Sequence, residues 1–327
     1  MKKHNHCAAA VLLLCLLIFV QLPVSAAGLI ETSHACMLTI RYLDGNTPVS
    51  GAPFELYRVA DISEYGELTL TGDFASYPVR LDGLDSSGWK TLAETLTGYV
   101  LRDRLTPLDS GKTNADGVLT FPNRRNTLMP GLYLVYGRTF STGTYNYTTE
   151  PFLVLLPVTD TSSNTWQFDL TVTPKHTREN IPTTPSQTIT RKVLKVWDDG
   201  GHASGRPETI TVELLKNGTI YDTVSLSDAN NWRHTWEKLP KYDSDGAPID
   251  WRVVETAVSG YTVSVSQDGI TTVITNTNKT NPPAPEKPSQ PNLPQTGVLW
   301  WPVVLLAALG LFLLLAARRV GEHRRHA

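Results

Sequence analysis

The feature that most limits what this chain can fold into is a run of mostly apolar residues, Val298–Ala317, followed by Arg318, Arg319, Arg324 and Arg325. That run has about the length a helix needs to cross a bilayer, and its arginine cluster is predicted to stay on the cytoplasmic side. Trp300 and Trp301 then fall at the outer interface as an aromatic belt. At the other end Lys2 and Lys3 precede an apolar run from Ala8 to Val20, then Pro23 and the small residues Val24-Ser25-Ala26-Ala27. Residues 1–27 read as a secretory signal peptide cut after Ala26 or Ala27, too short and wrongly flanked for a span. Roughly 270 exported residues remain, room for two domains of ordinary size.

Composition narrows the classes further. With 29 basic and 31 acidic residues the net charge is -2, and no basic stripe appears, so no nucleic-acid partner is expected. Cys7 and Cys15 leave with the signal peptide, which makes Cys36 the lone exported cysteine. No intrachain disulfide can form, although the compartment is oxidising. Neither Cys15 nor Cys36 follows the leucine and small residues of a lipoprotein box, and Cys36 reads as a half-buried apolar residue at a strand start. An exported chain without disulfides needs another source of resistance to proteases and shear.

Residues 28–175 carry strand patterns at Met37–Leu43, Phe54–Ala60, Val118–Phe121, Leu132–Tyr136, Phe152–Val158 and Phe168–Val172. Turn signals separate them at Asp44-Gly45-Asn46, Asn114-Ala115-Asp116-Gly117 and Pro130-Gly131. Trp89, Leu92, Ala93, Leu96, Tyr99 and Val100 instead share a face at helical spacing, with Ser86 or Ser87 as N-cap. This predicts one helix inserted in the first domain, covering one side of a β-sandwich.

Residues 176–189, with Ile181-Pro182-Thr183-Thr184-Pro185-Ser186, predict a linker. A second domain, 190–279, holds strand patterns at Thr190–Trp197, Thr209–Lys216, Ile220–Leu226, Trp232–Trp236, Ile249–Thr256, Tyr261–Val265 and Ile270–Asn276. Asn217-Gly218 between two of these runs is a strong hairpin signal, and the spacing of the turns indicates a second sandwich. The predicted fold is therefore all-β: two tandem immunoglobulin-like sandwiches between a signal peptide and a C-terminal transmembrane segment. Residues 280–292 are rich in proline and predict an extended, semi-rigid spacer.

The apolar run is immediately preceded by Leu293-Pro294-Gln295-Thr296-Gly297. Recognition peptide, apolar helix and basic stop together (293–327) resemble the sorting signal cut by the sortase transpeptidases of Gram-positive bacteria. The resemblance implies cleavage between Thr296 and Gly297, with the Thr296 carbonyl passed to an amine. The chain would then be the substrate of a sortase, only transiently membrane-anchored, and end on peptidoglycan at the cell surface. The plainer alternative is an ordinary C-terminal membrane anchor.

In the second domain Lys195 shares a strand face with Val193 and Trp197, Glu255 with Val253, and Asn276 with Ile274. All three polar side chains would then point into one sandwich core. An unpaired buried charge costs several kcal/mol, so desolvation favours a neutral lysine and a protonated glutamic acid. A neutral amine held against a carboxamide polarised by an acid can expel ammonia and form an isopeptide bond. The other reading is an ion pair of Lys195 with a different carboxylate at the surface.

The segments Lys195-Val-Trp-Asp-Asp, Arg206-Pro207-Glu-Thr-Ile210-Thr-Val212-Glu-Leu214, Asn231-Trp232, Leu239-Pro240-Lys241-Tyr242-Asp243 and Ile274-Thr-Asn276-Thr closely resemble the B-type domain of collagen-binding surface proteins. That resemblance implies a spontaneous bond between Lys195 and Asn276 with Glu255 as proton shuttle. It implies no collagen binding, since such domains are typically stalks. Residues 28–175 resemble the same superfamily through Leu38–Tyr42, Phe54–Val59 and Met129–Val135. There Arg41 stands near the lysine position, Tyr136 and Gly137 where the glutamate would be, and no lysine lies between the signal peptide and Lys90. Arginine is too basic to act as the amine, so no such bond is expected in the first domain.

The end of that domain, Trp166-Gln-Phe168-Asp169-Leu170-Thr-Val172-Thr-Pro174-Lys175, resembles the pilin motif of sortase-assembled pili. The resemblance implies that Lys175 is the amine attacking the Thr296 acyl group of another subunit. Thr173 and His176 replace the tyrosine and asparagine common there, and the alternative is a solvated lysine closing a strand. The eight histidines show no metal spacing, and Asp243-Ser-Asp245-Gly246 lacks the later carboxylate of a calcium loop. No cofactor, metal or assembled catalytic set is expected. The sequence thus predicts a wall-anchored pilin subunit, not an enzyme, with sortase, peptidoglycan and other subunits as partners. A monomeric adhesin on peptidoglycan, with the first domain touching a host surface or matrix ligand, is the alternative.

Overall fold

The computed structural model describes residues 28–124, 127–160, 162–183 and 187–279, all within one compact unit. The segments predicted as signal peptide and spacer, the Leu293–Gly297 motif and the apolar run lie outside the described residues. Among the described residues no helix is long and apolar enough to cross a membrane.

In the first sandwich Met37–Arg41 runs parallel to Asp169–Val172 and antiparallel to Val118–Phe121. Facing this three-stranded layer is a sheet built on Pro53–Ile62 and Gly131–Gly137, with Phe152–Leu156 on one side and Leu68–Leu70 and Asp109–Lys112 on the other. Strand side chains alternate between faces, so Tyr133 and Val135 enter one core with Leu38, Ile40, Phe54 and Leu156. Leu132, Leu134 and Tyr136 enter a second core on the opposite face. Every residue of Gly131–Gly137 is buried, which is why this strand reads as a continuous apolar run instead of an alternation.

The second core is shared with the C-terminal sandwich. The helix Ser86–Asp103 lies between them, and Leu92, Leu96, Tyr99 and Val100 join Val212, Leu214, Val254 and Ile274 in one cluster. The predicted apolar stripe is present, but all seven residues from Thr95 to Leu101 are buried. A helix covering one sandwich keeps a wet face, whereas this one is packed on both sides. Its N-cap is Asp85, whose side chain accepts from Gly88 N at 2.7 Å, in place of the predicted serines.

The C-terminal sandwich has the seven predicted strands. Arg233–Pro240, Thr188–Asp198, Thr271–Asn278 and Tyr261–Asp268 form one sheet, and Thr219–Leu226, Ile210–Lys216 and Trp251–Glu255 the other. Asn217 and Gly218 both have positive φ, 51° and 79°, the hairpin geometry their pairing predicts. Val212, Leu214, Leu215 and Ile274 are fully buried, each worth about 1.5–3 kcal/mol against an exposed position.

One part of the predicted linker is structured. His176–Asn180 pairs with Tyr145–Thr149, continuing the first sandwich instead of leaving it. Further polar bonds then tie the halves together. Tyr136 Oη donates to Asp250 Oδ2 at 3.0 Å, Asn146 Nδ2 to Gly246 O at 2.9 Å, Lys241 Nζ to Glu179 Oε2 at 2.9 Å and Arg252 Nη1 to Glu94 Oε2 at 2.7 Å.

Candidate functional site

The first and last strands of the C-terminal sandwich run parallel, with Lys195 opposite Ile274 and Trp197 opposite Asn276. Lys195 and Asn276 are thus diagonal neighbours on the inner face of one sheet, and Glu255 enters from the facing sheet. The lysine side chain is 0% exposed and that of Glu255 1%, with Nζ 3.7 Å from Oε2. Asn276 Nδ2 donates to Glu255 Oε1 at 2.9 Å. The three predicted side chains converge in one dry core, and Lys195 has no surface carboxylate as partner.

The hydrogen bonding fits neutral groups. Lys195 Nζ donates to Val196 O at 3.0 Å and Ile274 O at 3.4 Å. Two acceptors use both N–H bonds of an uncharged amine and leave its lone pair free. Glu255 Oε2 and Asn276 Oδ1 have no hydrogen-bond partner. Two unpartnered buried acceptors disfavour the ionised carboxyl, and protonating Glu255 turns one of them into a donor. Burial pushes the lysine down to about 7 against the pull of Glu255. Burial likewise pushes the Glu255 carboxyl above its ordinary value, more than Lys195 and Asn276 hold it down.

An aromatic cover completes the core. Lys195 Nζ lies 4.4 Å from the centre of the Trp197 ring, which meets Trp232 and Tyr261 edge-on at 5.2 and 5.1 Å. Beside it Arg206 makes two bonds, of 2.6 and 2.7 Å, to the buried carboxylate of Asp199. The sequence assigned no role to these residues. The signal for Trp197 was its place on the Lys195 face; nothing local in the sequence pairs Arg206 with Asp199.

Lys175 stands apart from this core. It is exposed, directly after the buried Pro174. It lines an open groove of about 570 Å³ with Trp89, Leu132, Phe152 and Leu155. Lys90 and Glu150, paired at 3.0 Å, line the groove too. Glu150 N donates to the Lys175 carbonyl at 3.2 Å, fixing the backbone beneath the exposed residue. Leu293, Pro294, Gln295, Thr296 and Gly297 lie outside the described residues. Cys36, predicted to be half-buried, is 4% exposed, and its backbone bridges to Leu128. Among the described residues no cluster could hold a metal ion.

Comparison with known proteins bears on the second sandwich. Collagen adhesin of Staphylococcus aureus is 38% identical over 88 residues, covering 27% of this chain and 7% of that protein. The chain therefore spans a small fraction of that relative's length. Among solved structures, a single B repeat unit of the S. aureus collagen-binding surface protein covers 75% of this chain and 98% of its own, at 19% identity and TM-score 0.27. The shaft pilin SpaA from Lactobacillus rhamnosus GG covers 75% and 98% at 14% identity and TM-score 0.27. The major pilin SpaA of Corynebacterium diphtheriae covers 73% and 98% at 14% identity and TM-score 0.27. Residues 191–277, a stretch that contains Lys195, Glu255 and Asn276, match the family model of the Cna protein B-type domain.

Proposed function

We propose that this chain is a cell-wall-anchored pilin subunit, joined to its neighbours by sortase and stiffened by an isopeptide bond between Lys195 and Asn276. The observation that carries the internal bond is the burial of Lys195, Glu255 and Asn276 together, with Lys195 Nζ 3.7 Å from Glu255 Oε2 and Asn276 Nδ2 bonded to Glu255 Oε1 at 2.9 Å. The Lys195 lone pair forms a bond to the Asn276 side-chain carbonyl carbon while Glu255 lends its proton to the carboxamide. The bond from that carbon to Nδ2 breaks, and Nδ2 departs as ammonia with one hydrogen that began on Lys195. Glu255 ends with its proton restored. Each chain does this once, so the chemistry is maturation and not turnover.

The polymerising step belongs to another protein. Sortase cuts between Thr296 and Gly297, and the acyl group passes to Lys175 of a second subunit or to peptidoglycan. The exposed lysine at the rim of an apolar groove supports this role. Immunoblots of boiled, detergent-treated wall extracts test it. A ladder of high-mass species that disappears in Lys175→Ala is expected. A single band indifferent to that substitution overturns polymerisation and leaves the monomeric adhesin.

A further inference from the structure

A two-sheet sandwich is open where the edge strands of its layers face each other, and water reaches the core there. In the C-terminal sandwich one such side lies between Trp251–Glu255, at the edge of the three-stranded sheet, and Tyr261–Asp268, at the edge of the four-stranded one. Glu255 ends the first of these edges, and Asn276 sits on the strand next to the second. This is the side on which the crosslinking core most needs cover.

The cover comes from the other sandwich. Val263 N donates to Pro78 O at 2.7 Å and Val265 N to Thr95 Oγ1 at 2.8 Å, so free edge amides of Tyr261–Asp268 end on the N-terminal domain. On the opposite edge Arg102 Nη1 donates to the Glu255 carbonyl at 3.4 Å. Arg102 is itself fixed by two bonds to Asp103, of 2.7 and 2.8 Å, and lies 4.8 Å over the Tyr99 ring. A glycine inside a helix costs about 1 kcal/mol against alanine, and Gly98 has a local reason to be there. A Cβ at that position would stand 3.0 Å from Val254 Cγ2, beside Glu255 in the chain. Tyr99, 2% exposed, fills the next position. Its hydroxyl holds its proton more tightly through burial, and the nearby Glu255 adds to this. The charged and titratable groups around Glu255 are Lys195 from its own core, with Arg206 acting on that lysine, Glu213 on the neighbouring strand beside Arg102, and Tyr99 and Arg102, with Asp103 behind, from the helix.

We propose that the first sandwich completes the crosslinking site of the second: through Gly98, Tyr99 and Arg102 the helix Ser86–Asp103 seals the open edge beside Glu255 and orients the strand carrying it. Arg102 is then a positioning residue for the isopeptide bond. This rests on the Lys195–Asn276 bond proposed above. The two domains are not independent beads, because the chemistry of one waits on the docking of the other.

The test follows ammonia loss by intact mass in full-length chains made by cell-free synthesis and quenched at timed intervals over a range of pH. Wild type is compared with Gly98→Val, Arg102→Ala and the conservative Arg102→Lys, and limited proteolysis reports whether the first sandwich has folded. Water at the open edge favours the charged pair over the reactive neutral pair. The rate tracks the fraction of chains holding the neutral pair, so it should fall by up to about tenfold when Lys195 and Glu255 together return one pH unit toward their ordinary values. The pH profile should also broaden, its acid limb moving down and its alkaline limb up, in Gly98→Val and Arg102→Ala, with Arg102→Lys restoring most of the rate. Wild-type rates and profiles in all three variants overturn the inference while leaving the bond intact. A lower rate with an unbroadened profile also overturns it, since misfolding alone does that. A wild-type chain that never loses ammonia refutes the bond itself.

Discussion

Replacing Glu255 with glutamine keeps the side chain's shape and removes the acid that contacts Asn276. Without a proton to lend, aminolysis should stop, and the chain should carry the full mass its gene encodes while wild type falls one ammonia short. The stability cost can be worked from topology. The bond closes a loop from Lys195 to Asn276 of about 80 residues, and the chain-entropy relation for crosslinks assigns such a loop about 4–5 kcal/mol. One compact unit holds both sandwiches, and for a unit of about 250 residues each kcal/mol moves Tm by about 2–4 °C. Glu255→Gln should therefore melt about 10–20 °C below wild type. The lone Lys195 adds to that loss at neutral pH, because burial holds it at about 7 against 10.5 in the unfolded chain and removing the carboxylate drives it lower, so folding must strip its proton and the loop figure is the smallest drop expected. Scanning calorimetry paired with intact mass reads both quantities on one sample. Continued ammonia loss in Glu255→Gln refutes the shuttle. Full mass with a Tm shift under about 3 °C refutes the loop-entropy reasoning.

In Asn276→Ala no bond can form and the buried pair titrates. The folded chain holds the Lys195 proton less tightly than the ordinary value of 10.5, so the unfolded chain binds more protons between about 7 and 10.5 and stability rises with pH across that window. Glu255 is raised above 4.5, so the folded chain binds more protons just above that value and stability falls with pH there. Chemical denaturation across pH should trace a minimum between the two limbs, and a flat curve contradicts the assignment. Asn146→Ala leaves the Gly246 carbonyl without its donor at the junction of the sandwiches. It should cost about 1–3 kcal/mol in the denaturation midpoint, and a change below about 0.5 kcal/mol contradicts a structural role for that bond.

Strand periodicity carried most of the site. Because side chains alternate, the neighbours Val193 and Trp197 were enough to send Lys195 inward, as Val253 and Ile274 did for Glu255 and Asn276. The Asn-Gly turn was readable because positive φ at two consecutive positions selects those residues. What escaped has physical reasons. Asp109–Lys112 and His176–Asn180 are polar edge strands held by backbone bonds, which need no apolar pattern. The helix stripe showed one buried face, but a second burial against another domain leaves little trace when the residues involved are Thr95, Thr97 and Gly98. Gly98, unfavourable in a helix on propensity alone, stands where a Cβ would lie 3.0 Å from Val254 Cγ2.

The most direct measurement is peptide mapping of the chain recovered from the wall. Protease digestion and fragmentation should yield a branched peptide joining Lys195 to Asn276, one ammonia lighter than its two linear parts. Recovery of those two parts as separate, unmodified peptides contradicts the account.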